Sequence, residues 1–268
     1  MKRMLALLAI ACLTFSVVFA AGAQETGDQS LKKVLDKGKF VLGLDDSFPP
    51  MGYRNEKNEI VGFDVDLAKE VTKRLGVELV LQPIDWNAKE QELNTGKIDC
   101  IWNGFTITEE RKKNLNFSDP YLNNAQVAVV KNSSTYKTLK DLAGKKVGIQ
   151  AGSSAADAVY GAPDFAKSLK EVVEVKDNLT ALMDLEVGGV DAVVLDLMVA
   201  TDNINRSKKD FRIIDEYLAN EEYGVGFRKN DNALRDKVQE ILNAMAKDGT
   251  MAAISKTWFG SDITVVGK

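Results

Sequence analysis

From Phe40 onward, short runs of β-branched and aliphatic residues alternate with segments whose apolar residues recur every three to four positions. No other feature restricts the fold as much, because strands that alternate with amphipathic helices build mainly parallel sheets covered by helices. Residues 39–44 read as the first strand. Phe63, Leu67, Ala68, Val71 and Leu75 share a helix face, and Gly76 stands where a left-handed helix terminator belongs. Strands are expected at 77–81 and 99–102. The pattern then restarts with strand 125–130, short helix 139–142, strand 146–149, helix 153–160, strand 172–175, helix 179–186 and strand 192–195. Short strands at 211–214 and 223–227 precede helices at 233–246 and 251–258. Residues 24 to about 33 are polar and expected to be loose. No repeat or low-complexity linker separates the halves. Two α/β lobes joined by short crossovers, with a ligand between them, are therefore expected. A single doubly wound domain is the alternative.

Composition removes whole classes of function. With 35 Lys+Arg against 39 Asp+Glu the chain is mildly acidic, which argues against nucleic acid as a partner. It has no His, so Ser-His and Cys-His nucleophile pairs and His-containing metal sites are excluded. Lys2 and Arg3 precede an apolar run to Ala21, and Ala21-Gly22-Ala23 supplies small residues before Gln24. This reads as a signal peptide over 1–23; an uncleaved anchor is the rival. Cys12 lies within the apolar run, and Ala9-Ile10-Ala11 is a poor lipobox. Cleavage after Ala23 would remove Lys2, Arg3 and Cys12, leaving 33 basic against 39 acidic residues and Cys100 alone. An intramolecular disulfide is then impossible, and the fold must rest on its core. A soluble protein in the periplasm is expected.

Each candidate site motif has a plainer reading beside it. Asp45-Asp46-Ser47-Phe48-Pro49-Pro50 follows the first strand, where α/β sheets bind ligands, but also has turn composition. Thr108 begins a helix with Glu109 and Glu110 at its positive end, which puts Arg111 near a strand tip. A guanidinium fork there suits a carboxylate; the rival is a surface arginine in Arg111-Lys112-Lys113. Gln150-Ala151-Gly152-Ser153-Ser154 joins strand to helix as an anion cradle or a plain serine cap. It lacks the signatures of nucleotide loops. Asp196 closes an apolar strand, placed to pair with an ammonium, to act as a general acid, or to cap the next helix. Asp64 and Asp66 suit a helix start better than a metal.

In order and position these pieces resemble the periplasmic amino-acid-binding proteins of ABC importers, solute-binding protein family 3. The carriers are Val61-Gly62-Phe63-Asp64-Val65-Asp66-Leu67, Gly104-Phe105-Thr106-Ile107-Thr108-Glu109-Glu110-Arg111, Phe117-Ser118-Asp119-Pro120-Tyr121, Val190-Asp191-Ala192 and Trp258-Phe259-Gly260. The likeness runs from about residue 39 to 260 and is closest to the glutamine, histidine and lysine/arginine/ornithine binders. It implies a type II clamshell, with lobe 1 at 31–120 plus 224–260, lobe 2 at 126–218, and hinges near 121–125 and 219–223. By this resemblance Arg111, with backbone N–H groups of Thr106 and of Ser153 or Ser154, would clamp an α-carboxylate. Asp196, the Gly104 carbonyl and the Thr106 hydroxyl would hold an α-ammonium. Phe48 and Trp86 would flank the side chain, while Asp45 and Gln150 approach its far end. The glutamine binders the chain resembles carry a small residue where Asn103 stands and a basic one where Gln150 stands.

The implied function is the extracytoplasmic binding subunit of an amino-acid ABC importer, a monomer without metal or cofactor that delivers its ligand to a membrane permease. Asp45 as a spare acid favours glutamine, arginine or lysine, with cystine possible. The alternatives are a cyclohexadienyl dehydratase-like enzyme on this fold, in which Asp196 would protonate a leaving hydroxyl, and a soluble amino-acid sensor.

Overall fold

A computed structural model describes residues 27–268. The expected signal peptide, its cleavage point and Cys12 lie outside the described residues.

Two five-stranded sheets carry the architecture. In the first, Glu78–Pro83, Lys39–Leu44 and Cys100–Ile101 run parallel, and the antiparallel strand Gly226–Arg228 bridges to Leu115–Phe117. In the second, Glu171–Val175, Lys146–Gln150 and Ala192–Asp196 run parallel, followed by antiparallel Leu122–Lys131 and Phe211–Tyr223. The two-lobed α/β arrangement expected from the alternation is the one the chain adopts. Asp45, Asn103, Gln150 and Asp196 all stand at or just beyond the carboxyl ends of parallel strands, where α/β sheets leave a crevice.

The long strands do more than the sequence suggested. The expected strand 211–214 runs on without a break to Tyr223, and the expected 125–130 begins at Leu122 and ends at Lys131. Their ladder pairs Leu122 with Tyr223, Asn123 with Glu222, Asn124 with Glu221 and Ala125 with Asn220. Two bulges, between Ile213 and Tyr217 and between Tyr217 and Ala219, break the alternation that would have shown one strand. The chain passes between the sheets along this ladder. Thr264 adds a bridge to Leu122, and Val265 N–H donates to the Tyr121 carbonyl at 3.0 Å, so the tail packs on the same crossing.

Helix Phe63–Leu75 buries Phe63, Val65, Leu67, Ala68 and Val71, each contributing roughly 1–3 kcal/mol by removal from water. It ends at Gly76, left-handed at φ 75°. Its start is set by a close approach: a Cβ on Gly62 would lie 2.1 Å from the Met51 carbonyl oxygen, at φ +152°. Only glycine lets the hairpin 47–61 sit against this helix. The segment expected to be loose is partly helical, over Ser30–Lys37. Val34 is buried, Ser30 Oγ accepts the Leu234 N–H at 3.0 Å, and Asp28 accepts that of Ala233, so this helix is docked on Asn232–Lys247. No helix among the described residues is long and apolar enough to cross a membrane.

Candidate functional site

A narrow cavity of about 10 Å³, room for a single water, lies between the sheets, lined by Phe48, Trp86, Gly104, Thr106, Arg111, Gln150, Ser153, Ser154 and Asp196. Nine of the eleven candidate residues surround it. Asp45 and Asn103 do not line it.

One end is cationic. The Thr108 hydroxyl accepts the Arg111 N–H at 3.1 Å and caps helix Glu109–Asn114, which sets Arg111 in the first turn. Arg111 is 6% exposed, so the surface-arginine reading fails. Its guanidinium lies 4.6 Å over the Phe105 ring, and Nη1 donates to the Thr106 carbonyl at 2.8 Å. Asp157 Oδ2, from the other sheet's side, is 3.7 Å from Nη2. Burial lowers the Arg111 pKa against the pull of Asp157 and Glu221. Among the described residues the fork makes one protein hydrogen bond, which leaves N–H groups for a carboxylate. Ser153, on the opposing lobe, caps helix Ser154–Gly161 through its side chain, accepting the Ala156 N–H at 3.2 Å.

The other end is anionic. Asp196 is 4% exposed and does not cap helix Leu197–Ser207. Its Oδ1 accepts from Tyr223 Oη at 2.6 Å and Asn124 Nδ2 at 2.7 Å. Burial first, and the Glu221 charge second, push its pKa up to about 7. Glu221 was not among the candidates. Its Oε2 accepts from Gln126 Nε2 at 2.9 Å, Thr106 Oγ1 and Asn124 Nδ2 at 3.0 Å, and lies 3.4 Å from Ser154 Oγ. The Thr106 hydroxyl is therefore engaged with Glu221 and stands 3.0 Å from Ser154 Oγ. Polar Asn124 and Gln126, at alternate positions of a strand otherwise apolar from Ala125 to Val130, were the available signal.

Between these ends Phe48 and Trp86 supply aromatic walls, and Trp86 meets Phe105 edge-on at 5.7 Å. Gln150 Nε2 donates to Asp45 Oδ2 at 2.7 Å and to the Lys176 carbonyl at 3.1 Å, while its Oε1 accepts from Asn178 at 3.1 Å. Asp45 thus sits behind Gln150 rather than facing the cavity. Burial raises its carboxyl to about 6, against the Gln150 and Ser47 hydrogen bonds. Asn103 is set back as well, its Oδ1 accepting the Asp45 N–H at 3.0 Å. Lys89, another residue outside the candidate set, reaches across the lobes: Nζ donates to the Gly152 carbonyl at 2.7 Å and the Trp86 carbonyl at 3.2 Å. Burial brings its pKa down to about 8.

Asp64 does more than meet the dipole of its helix. Fully buried, it accepts the Gly104 N–H at 2.6 Å and Tyr121 Oη at 2.9 Å, and burial raises its carboxyl to about 7. It ties the Gly104 loop to the start of the crossing ladder. Gly104 is left-handed at φ +55°, and a Cβ there would lie 2.9 Å from Phe48 and 3.1 Å from Tyr223.

Comparison with known proteins matches the family described as Bacterial extracellular solute-binding proteins, family 3, over residues 40–261. The chain is similar to the L-cystine-binding protein TcyJ of Escherichia coli, 35% identical over 239 residues and covering 87% of each chain. Among solved structures it resembles Tv2483 bound to L-arginine, with TM-score 0.85, 35% identity, and 90% of this chain and 99% of that one covered. A substrate-binding protein of an ABC uptake transporter from Streptococcus pneumoniae with bound histidine also gives TM-score 0.85 and 35% identity, covering 89% and 99%.

Proposed function

The chain belongs to the bacterial extracellular solute-binding proteins, family 3, and from that premise we propose that it captures a free polar L-amino acid and delivers it to an ABC permease. The observation that carries this reading is one cavity with a buried guanidinium fork at one end and a buried carboxylate at the other, on opposite lobes. A zwitterion satisfies both. Arg111 takes the α-carboxylate, with N–H groups of Thr106 and of the 153–154 turn beside it. Asp196 takes the α-ammonium, with the Gly104 carbonyl. Because the two charges belong to different lobes, the ligand favours closure about the 122–125 and 220–223 crossing by differential affinity. Cystine, arginine and histidine, bound by the relatives, have different side chains but the same α-amino and α-carboxylate groups.

At the side-chain end, both Gln150 amide hydrogens are occupied by Asp45 and Lys176, so the group left to offer is a carbonyl lone pair. This favours a side chain that donates, such as guanidinium, ammonium or carboxamide, over a carboxylate. Arginine, lysine and glutamine fit, and Phe48 and Trp86 suit a flat guanidinium or amide.

The raised Asp196 is also what a general acid needs, and it is the observation in favour of a dehydratase-like enzyme. A ligand ammonium beside Asp196 would restore ionisation and remove that capacity. The test is a thermal-shift screen of the protein, unfolded and refolded to strip ligand, against the amino acids, cystine and prephenate. A response to one amino acid supports the binding role. A ligand at about 100 times its Kd stabilises by roughly 2.7 kcal/mol. Silence from all of them with turnover of prephenate would replace it.

A further inference from the structure

Glu221 is unlike the other residues of the site: one carboxylate oxygen gathers donors from both lobes and from the partner strand of the crossing. Thr106 comes from the first lobe, Ser154 from the second, and Asn124 and Gln126 from the ladder. The Asn124 amide nitrogen donates at once to Glu221 Oε2 and Asp196 Oδ1, so the two carboxylates are joined through a single atom. Tyr223 Oη holds Asp196 from the ladder, and Tyr121 packs 6.3 Å from Tyr223. Arg111, itself facing Asp157, is the cation whose charge acts on both carboxylates. Glu222, the next residue, is exposed. Arg111 lies at the opposite end of the cavity against the Thr106 carbonyl and Asp157, and among the described residues the hydrogen-bond donors around the two acids are hydroxyls, amides and a phenol. Burial, with the Glu221 charge added to it, favours a proton on Asp196.

We propose that Glu221 is the second charge of the ammonium site: with Asp196 it forms a two-carboxylate receptor that holds a proton when empty, and the ligand's α-ammonium displaces that proton to solvent. The inference rests on the amino-acid reading and adds to it a requirement. A ligand must bring a positively charged amino group, and capture is linked to proton release. The sign follows from the shifted group. Asp196 stands at about 7 in the ligand-free site and falls when an ammonium arrives, so the bound state carries fewer protons. Binding therefore tightens as pH rises toward 7 and weakens as pH falls below it. Asp45, at about 6, faces Gln150 at the other end and does not share in this pair.

Calorimetry tests the proposal. The twenty L-amino acids and L-cystine are screened against the purified protein, and the tightest binder is titrated at pH 5.5, 6.5 and 7.5 in buffers of different ionisation enthalpy. The expected result is a wild-type affinity about 10- to 30-fold weaker at pH 5.5 than at 7.5, with net proton release at 6.5. Glu221→Gln is expected to bind about 10-fold more weakly at pH 7.5 and to lose part of both the pH dependence and the proton release, because burial still raises Asp196. Wild-type binding with no proton release overturns the proposal without recourse to any variant. So does Glu221→Gln with wild-type release, which would leave Glu221 a structural member of the crossing. Failure of every amino acid to bind the wild type overturns the amino-acid reading itself, and that result comes at the screening step.

Discussion

Arg111 owes its place to a single turn of chain, whereas Asp196 and Glu221 meet only because separated strands pair. Thr108 caps the helix, the cap fixes the first turn, and Arg111 lies three residues on, buried against Phe105. At the opposite end Asp196 comes from strand Ala192–Asp196, Asn124 from Leu122–Lys131, and Glu221 from the return strand. The cationic end is local in sequence; the anionic end is nonlocal and adds a like charge to the burial cost that both ends carry. Arg111 has the Thr106 carbonyl and Asp157 nearby, while Asp196 is pushed up to about 7 by burial and a like charge. A site with one satisfied end and one strained end stores its response to the ligand at the strained end.

The largest expected effect would break the satisfied end. Arg111→Ala should weaken amino-acid binding by about 2–5 kcal/mol with the fold retained, measured by calorimetry and circular dichroism. Arg111→Lys should recover only part, because a point charge does not replace a fork. Equal affinity for Lys and Arg variants would show that the fork geometry is not used.

The strained end should respond in the opposite sense for stability. A carboxyl raised in the folded state contributes stability at low pH that is lost as pH rises from about 4 through 7. Asp196→Asn should therefore stabilise the ligand-free protein at pH 7.5 by on the order of 1–3 kcal/mol in denaturant melts while weakening ligand binding. A variant less stable than wild type at pH 7.5 would mean that the Tyr223 and Asn124 bonds outweigh the burial cost.

A smaller effect tests how the lobes meet. Gly152 is left-handed at φ +67°, and its Cβ would lie 2.7 Å from Asn87 Oδ1 across the cleft. Gly152→Ala should cost about 1–2 kcal/mol of affinity, mainly in the dissociation rate, and Asn87→Ala should return part of it. The smallest change concerns Asp45, one residue behind the cavity. Asp45→Asn should lower arginine affinity by several-fold and leave glutamine nearly unchanged, because Gln150 keeps a similar acceptor but loses a charge behind it. Equal losses for both would place Asp45 in support of the loop alone.

Much of the fold was legible because it is periodic. The helix Phe63–Leu75 was readable from its apolar face and terminal glycine, and strand Lys39–Leu44 from its composition and boundaries. The helix Ser30–Lys37 was not, because docking on Asn232–Lys247 decides it, about two hundred residues away in sequence. Arg111, Gln150 and Asp196 could be picked out because each follows or ends an apolar strand. Asp45 and Asn103 satisfy the same rule, yet they turn away from the cavity to bond Gln150 and a backbone N–H. Glu221 and Lys89 escaped because both lie in polar stretches that read as solvent-facing: Asn220-Glu221-Glu222, and Lys89-Glu90-Gln91-Glu92.

By itself the sequence determined the two α/β lobes, the family and the cap that seats Arg111, since these depend on neighbours within a few residues or on periodicities of one element. Which acids face the cavity, which stand behind an amide and which are driven to hold a proton was decided only by tertiary structure. Ionisation in a buried site depends on the distance and dielectric between groups far apart in the chain, and a sequence carries neither quantity.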